Sequence, residues 1–334
     1  MHSSDTALRQ PFFHHIYVEE GAYSYPFTQT LLARFTKAAG VPILHYKDVF
    51  CRGHQDILRE KQSPALILAV KSAPFLYPGA PVCQDFGNAG FYYTSCVMNC
   101  IYDCAYCYLQ GMYPSGHIVI FVNLEDYLRE AEAFSARNPL YLCVSYDTDL
   151  LAMEPLLGFV REWSALAARC PGLTLEIRTK AAPVPFPDTL PVLGNVIYAW
   201  TLSPQKIIDA YEKRTPSLDR RLASAACAAA QGRRIRFCFD PVLRVENWQT
   251  LYEDLVRQAF AAMPPGSVTD AGIGVFRVSQ AYINQMRRTR PGCPLVQFPF
   301  ALQDGICCYP DSGEMCDFMR RQLRRYLPDR QIFG

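Results

Sequence analysis

The chain has 334 residues, of which 50% are hydrophobic and 19% are charged, and its formal net charge is +2. This composition predicts a large buried core and excludes a globally disordered chain, and the near-neutral charge does not indicate a general nucleic-acid binder. The N-terminus lacks the basic-then-apolar pattern of a secretory signal, and no apolar run approaches the roughly 18 residues of a membrane span. We therefore expect a cytoplasmic protein with no membrane partner, whose fourteen cysteines are mostly reduced.

Residues 1–90 are predicted to form an N-terminal α/β extension. A helix is expected over 27–40, ending at a glycine, and strands are expected over 41–46 and 65–71. The following segment is rich in proline and glycine, which predicts a loop before residue 91.

From residue 91 onward, predicted strands and helices alternate. The strands are expected over 117–123, 139–146, 173–180, 196–203, 234–243 and 271–279, and the helices over 124–137, 154–170, 217–232 and 248–263. This alternation predicts βαβ units and a parallel sheet. About six units fit, so we expect an α/β fold: a partial, open (β/α)6 TIM-like barrel over 91–285, with 286–334 as a C-terminal substrate-side segment. Functional groups should then lie at the carboxyl ends of the strands.

The segment 95–116 contains four cysteines, Cys96, Cys100, Cys104 and Cys107. Thiolates suit zinc or an iron–sulfur cluster. A structural zinc site normally takes four ligands, often as two Cys-x2-Cys pairs, and only one such pair is present. Three close thiolates instead predict a cubane cluster with one open iron. The alternatives are a non-catalytic zinc-binding interaction protein that uses all four cysteines, and cysteines that only pack in the core.

The spacing Cys100-x3-Cys104-x2-Cys107, with Tyr106 before the last cysteine, resembles the signature of the radical S-adenosylmethionine enzymes. "CAYCYLQ" followed by "IVIFVNLEDYL" resembles the spore photoproduct lyase family, as do shorter pieces at 16–27, 177–180 and 239–248. The resemblance implies a 4Fe–4S cluster on the three cysteines, with Cys96 outside the set, and S-adenosylmethionine on the open iron. It also implies a lyase that uses a 5′-deoxyadenosyl radical to repair a UV-induced thymine dimer in DNA.

The resemblance further implies a cofactor-binding set, mostly at successive strand ends: Tyr106, Thr148, Asp149, Lys180, Thr201 and Ser203. Tyr106 would lie near the adenine, and Lys180 would pair with the methionine carboxylate as a point charge.

In the family a cysteine, helped by tyrosines, returns hydrogen to the product radical, and Tyr106 and Tyr108 match the tyrosine positions. Alignment of Thr148 and Asp149 with the family's Ser-Asp pair places the donor position on Tyr146. Cys143 lies three residues earlier, an odd offset that would put it on the opposite face of a strand. The catalytic candidates are therefore Cys143, Tyr108 and Tyr146. Three alternatives remain: a bulge restores Cys143, Tyr146 takes over the role of hydrogen donor, or the reaction differs.

The implied partners are damaged DNA and an external electron donor such as a flavodoxin or ferredoxin. The residues predicted to contact phosphates are Arg277 and the "RRTR" run at 287–290, with the arginines of 320–330 as the alternative. The segment 291–313 has no Lys or Arg, whereas the family has a basic hairpin there. This difference favours the alternative of a relative that acts on a non-DNA substrate.

Overall fold

The computed structural model describes residues 13–334. Its strands are β1 His15–Glu19, β2 Ala39–Ile43, β3 Leu66–Ala69, β4 Tyr77–Pro78, β5 Phe91–Tyr93, β6 Val97–Met98, β7 Asp103–Cys104, β8 Ile118–Phe121, β9 Leu140–Cys143, β10 Leu173–Thr179, β11 Val196–Thr201, β12 Glu212–Lys213, β13 Arg234–Val242, β14 Val268–Val275, β15 Arg277–Ser279, β16 Ala301–Gln303, β17 Ile306–Cys308 and β18 Ile332–Phe333. Its α-helices are α1 Pro26–Arg34, α2 Lys47–Phe50, α3 Ile57–Gln62, α4 Leu109–Met112, α5 Leu124–Ser135, α6 Leu150–Leu157, α7 Phe159–Arg169, α8 Gln205–Tyr211, α9 Leu218–Ala230, α10 Trp248–Ala261, α11 Gln280–Thr289, α12 Pro294–Gln297 and α13 Ser312–Leu323.

The larger sheet has eight strands in the order β18-β14-β13-β11-β10-β9-β5-β4. All neighbours pair in parallel except β4, which pairs antiparallel with β5. The strands of its centre are buried almost throughout, as expected for parallel strands covered on both faces. The sheet curls into a half-barrel, which confirms the predicted open barrel and fold class.

The smaller sheet has five strands in the order β2-β1-β3-β8-β6. Strand β8, the apolar run "IVIF", was expected in the barrel but pairs in parallel with β3 instead. The short aromatic strand β5 takes the edge position in the barrel sheet beside β9. A buried apolar strand can pack in either sheet, so the periodicity of its residues does not predict which strand it pairs with. Strands from the two sides of the predicted boundary at residue 90 therefore pair with each other. Strand β3 pairs with β8 in the smaller sheet, and β4 pairs with β5 in the larger one.

The helix predicted over 154–170 is two helices, α6 and α7, separated by Gly158. Gly158 adopts φ +68°, in the left-handed region that glycine occupies without steric cost. It ends α6 as a C-cap, and α7 begins at the next residue.

Within residues 13–334, the helices are too short or too polar for any of them to cross a lipid bilayer.

Candidate active site

A cavity of about 460 Å3 lies at the carboxyl ends of the half-barrel strands. One of its ends is lined by Cys100, Cys104 and Cys107, all on the segment between β5 and α4. Cys104 is 7% exposed, and the other two are half-buried. The three thiols that the spacing singled out therefore share one wall of one cavity.

Two side chains, one from a distant segment and one from the adjoining helix α4, hold the backbone of this cysteine loop. Lys61 on α3 is buried, and its Nζ donates to the carbonyl of Cys100 at 2.5 Å. Gln110 Nε2 donates to the carbonyl of Cys104 at 2.7 Å, and β7 pairs antiparallel with β12. Sequence reasoning missed Lys61, because a single lysine on a short helix carries no local signal of its target.

The cysteine arrangement fits a cubane cluster better than a zinc ion. In a cubane each thiolate bonds a different iron, so the three sulfurs need not converge on one point. No three His, Cys, Asp or Glu side chains of residues 13–334 converge to hold a single ion. Cys96, the fourth zinc ligand of the alternative, is 1% exposed, lies outside the cavity wall and is close to Trp163.

Burial keeps the cluster thiols neutral in the metal-free chain. It raises the pKa of Cys100 to about 11 and also raises the pKa of Cys104 and Cys107. Binding of the predicted cluster by these thiols would therefore release protons, because thiolates are the ligands.

Tyr106 and Lys180 lie beside the cluster cysteines. Lys180 Nζ is 5.8 Å from the centroid of the Tyr106 ring, and both residues line the cavity. The Tyr106 hydroxyl donates to Glu212 Oε1 at 2.5 Å. Burial would raise the pKa of Glu212, but Arg221 and Lys180 lower it overall, so this carboxylate is charged and fixes the Tyr106 ring. Glu212 had no sequence signal, because it follows α8 far from the cysteines.

Thr148 and Asp149 both line the cavity, but they have different partners. The Asp149 carboxylate accepts from Thr179 Oγ1 at 2.7 Å, from the Lys180 amide at 2.6 Å and from the Ala152 amide at 3.0 Å. It therefore caps α6 and ties the loop after β9 to the end of β10.

The next strand end carries the last two predicted cofactor residues. Thr201 lines the cavity at the end of β11. Ser203 is 1% exposed, is not part of the cavity wall, and its hydroxyl donates to Glu212 Oε1 at 2.6 Å. Ser203 therefore supports Glu212, which also holds the Tyr106 hydroxyl, and its direct contact with the cofactor stays a prediction.

Cys143 and Tyr146 both line the cavity. Strand β9 ends at Cys143 and residues 144–149 form a loop, so the alternation rule does not separate the two side chains. Cys143 is 4% exposed, and its thiol donates to Glu176 Oε1 at 3.7 Å. Burial would raise the pKa of Glu176, but Arg178 and Arg236 bring it down to about 2.

Tyr108 and a further cysteine fix Tyr146 from two sides. The Tyr108 hydroxyl donates to the Tyr146 carbonyl at 2.8 Å. The Tyr146 hydroxyl forms a short hydrogen bond with the Cys83 thiol, and Cys83 also lines the cavity. Sequence reasoning missed Cys83. Its only signal is its position in the Pro- and Gly-rich loop that leads into β5.

Comparison with known proteins decides the family. The family model described as spore photoproduct lyase matches residues 12–285. The chain belongs to the spore photoproduct lyase family. It is 23% identical over 345 residues to the spore photoproduct lyase of a Geobacillus strain, covering 95% of this chain and 96% of that protein. The lyase of Clostridium acetobutylicum is 27% identical over 185 residues, 53% of each chain.

Solved structures of spore photoproduct lyase share the fold. One, a complex with a dinucleoside spore photoproduct, superposes with a TM-score of 0.82 at 21% identity and covers 97% of this chain and 98% of that chain. Family membership confirms the predicted class, a radical S-adenosylmethionine lyase, with a 4Fe–4S cluster and S-adenosylmethionine as cofactors. The predicted activity, repair of a UV-induced thymine photoproduct in DNA, is that of the family.

Proposed function

We propose that this chain repairs the spore photoproduct in DNA in the cavity at the carboxyl ends of the half-barrel strands. The observation that supports this proposal is the shared wall: the three cluster cysteines, the Tyr106–Lys180 pair and the thiol and phenol groups around Tyr146 line one cavity. When bound, the cluster and S-adenosylmethionine supply one-electron chemistry that yields a 5′-deoxyadenosyl radical.

The cofactor end is assigned to the side chains nearest the cluster cysteines. Cys100, Cys104 and Cys107 would hold the cluster, one thiolate to one iron. Tyr106 and Lys180 would orient the adenine and the methionine carboxylate. Lys180 suits that task because it is half-buried beside the cysteines and stays charged: desolvation lowers its pKa, but Cys104 and Glu212 raise it overall.

The remaining residues of the predicted set fall into two groups. Thr148 and Thr201 line the cavity and would contact the cofactor directly, although the Thr148 hydroxyl donates to Met153 Sδ at 3.6 Å. Asp149 and Ser203 would act through their neighbours, since their polar atoms are used within the protein.

The substrate end contains the catalytic candidates Cys143, Tyr108 and Tyr146. Tyr108 would position the loop that carries Tyr146, because its hydroxyl donates to the Tyr146 carbonyl and, at 3.3 Å, to Asp147. The half-buried rings of Tyr93, Tyr108 and Tyr146 would limit the access of water to a radical there, and Tyr93 stacks on Tyr146 with the ring centroids 4.4 Å apart.

Three of the arginines first predicted to contact phosphates have partners within the protein, whereas Arg288 of the same run is exposed. Arg277 donates to the Val82 carbonyl, Arg287 to the carbonyls of Val296 and Phe298, and Arg290 to Gln110 and Asp103. These three guanidinium groups are occupied inside the protein, so we propose a role for them in shaping the cavity rim.

The hairpin β16–β17 favours the alternative of a non-DNA substrate. Its segment 291–313 has no Lys or Arg, and Leu302 on it is 52% exposed. An apolar hairpin loses the attraction to phosphates that a basic one has.

The external electron donor and the compartment also belong to the proposal. We expect a flavodoxin or ferredoxin to reduce the cluster in the cytoplasm. All fourteen cysteines are free thiols in the structure, which suits a reducing compartment.

The test uses anaerobically reconstituted protein with dithionite, S-adenosylmethionine and a dinucleotide that carries the spore photoproduct. We expect 5′-deoxyadenosine and repaired thymidylyl-thymidine to appear together in chromatography. Deoxyadenosine without repaired dinucleotide would reject DNA repair and favour the non-DNA alternative.

A further inference from the structure

Cys83 reaches the active-site cavity from a loop that the family resemblance left without a role. It lies between β4 and β5, is half-buried and lines the cavity. Its Sγ atom contacts the Tyr146 hydroxyl at less than a normal hydrogen-bond distance, although the two residues are 63 positions apart. The pair thus joins the loop before the barrel to the loop after β9.

The Cys83 loop is clamped to the barrel. Arg277 donates to the carbonyl of Val82 from Nε at 2.8 Å and from Nη2 at 2.5 Å. The Cys83 amide donates to the Ala80 carbonyl at 2.9 Å, which closes a turn. The thiol position is therefore set by the fold.

Tyr146 is equally fixed and keeps its hydrogen. Its ring stacks on Tyr93, and its carbonyl accepts from Tyr108. Burial, together with the neighbouring Cys83, raises the pKa of Tyr146, so the group is a neutral phenol at physiological pH.

Cys143 is differently placed. Its S–H donates to Glu176, and that carboxylate is held by Arg178 and Arg236 in a buried ion network. Its hydrogen is therefore directed toward the network. Cys83 has a second hydrogen source, Tyr146, in direct contact with its sulfur.

We infer that Cys83 returns the hydrogen atom to the product radical and that Tyr146 restores the Cys83 thiol; this inference rests on the proposed function. The S–H bond of Cys83 breaks homolytically and a C–H bond forms on the repaired thymine, which leaves a thiyl radical. The hydrogen atom of the Tyr146 O–H bond then moves to the sulfur and leaves a neutral phenoxyl radical. One electron from the external reductant and one proton from solvent reform the phenol.

The Arg277 clamp makes Arg277 a positioning residue for Cys83. It holds the preceding carbonyl, and its Nη1 lies 3.6 Å from Asp240 Oδ1 on the cavity wall.

The test compares Cys83→Ala, Cys83→Ser and Cys143→Ala with the control Cys51→Ala, whose thiol is exposed and outside the cavity. Both Cys83 variants should lower repaired dinucleotide per 5′-deoxyadenosine by more than about tenfold, with iron content unchanged. In D2O the wild type should place deuterium from the exchangeable thiol in the repaired thymine, and Cys83→Ala should not. Repair that survives Cys83→Ala and is lost in Cys143→Ala would overturn the inference. A wild type that forms deoxyadenosine without repair would instead reject the proposed function.

A second measurement needs no loaded enzyme. The infrared S–H band that Cys83→Ala removes should shift in Tyr146→Phe, because the phenol hydrogen bond is lost. In turnover, Tyr146→Phe should support one round of repair and then stall with Cys83 oxidised. An unshifted band together with full multiple turnover would remove Tyr146 from the assignment.

Discussion

Cys104 is the most buried of the three predicted cluster ligands, and its carbonyl is held by Gln110. Its neighbours in sequence, Cys100 and Cys107, approach the cavity from the same loop. Each of the three thiolates would bond a different iron. The loop from Cys100 to Cys107 contains no further cysteine that could replace one of them. Cys96, the nearest other cysteine, is buried outside the cavity wall.

Cys104→Ala should therefore abolish cluster assembly, since two thiolates do not hold the cubane. Iron content and visible absorbance after anaerobic reconstitution should fall to background, and S-adenosylmethionine cleavage should stop. Cys51→Ala removes an exposed thiol and serves as the control. Normal iron content in Cys104→Ala would contradict the ligand assignment.

At the scale of elements, a buried ion network joins four strands of the half-barrel and reaches across β11. Arg236 on β13 pairs with Glu176 on β10 at 2.6 Å and with Asp270 on β14, and the Tyr141 hydroxyl on β9 donates to Glu176. The network lies directly under the cavity, because Glu176 lines the cavity as well.

This network predicts an acid-sensitive fold. The pKa of Glu176 is about 2, below its ordinary value of 4.5, so its stabilisation is fully present above pH 4.5 and is lost as the pH falls toward 2. At neutral pH the shift corresponds to about 3 kcal/mol. Glu176→Gln should lower the free energy of unfolding at pH 7 by about that amount and flatten its fall between pH 4.5 and 2, as measured by denaturant unfolding.

The control for this prediction is Glu162→Gln, whose side chain is 47% exposed. It should change stability by less than about 0.5 kcal/mol. If the free energy of unfolding of Glu176→Gln fell between pH 4.5 and 2 as steeply as that of the wild type, another group would set the acid sensitivity.

Helix α4, which follows the cysteine loop, packs closely on α11 at Gly111. A Cβ atom there would lie 2.5 Å from the Tyr282 Cβ and 2.6 Å from its carbonyl oxygen. Gly111→Ala should therefore push the helices apart and lower the free energy of unfolding by about 1–3 kcal/mol. Gly292→Ala, which has no atom within 4 Å of the new Cβ, is the matched control. Equal stabilities of the two variants would show that the α4–α11 contact adapts.

At the scale of the whole molecule, two arginines near the cavity rim donate hydrogen bonds to backbone carbonyls of the protein itself. Arg277 and Arg287 donate to carbonyls, and the hairpin segment 291–313 has no Lys or Arg. Recognition of a lesion should then depend mainly on the cavity and little on phosphate charge.

Binding to a lesion-bearing duplex should accordingly depend weakly on salt. One or two phosphate contacts would reduce the affinity by no more than about tenfold between 50 and 200 mM salt, whereas six to ten contacts would cost about 10³–10⁵. Fluorescence anisotropy with a labelled duplex measures this directly, and an unmodified duplex is the control. A steep salt dependence would show that several exposed cations, such as Arg288 of the predicted 287–290 run, contact phosphates.

The amino-acid sequence by itself determined the cluster loop, the alternating strands and helices of the half-barrel, and the family. Cys100, Cys104 and Cys107 could be found because cluster ligands on one tight loop lie close together in sequence. Strands such as β10 and β11 could be found because burial on both faces requires continuous apolar runs.

Only the tertiary structure decided which distant groups meet. The partner of β8, the Lys61 bond to the Cys100 carbonyl and the pairing of Cys83 with Tyr146 all join segments that no local pattern connects. Periodicity records which face of an element is buried, but the neighbour that covers that face depends on how the whole chain folds. That is why the cysteine loop, the predicted cofactor end, could be located from the sequence, while the Cys83–Tyr146 pair that we propose to return hydrogen emerged only once the loops were placed.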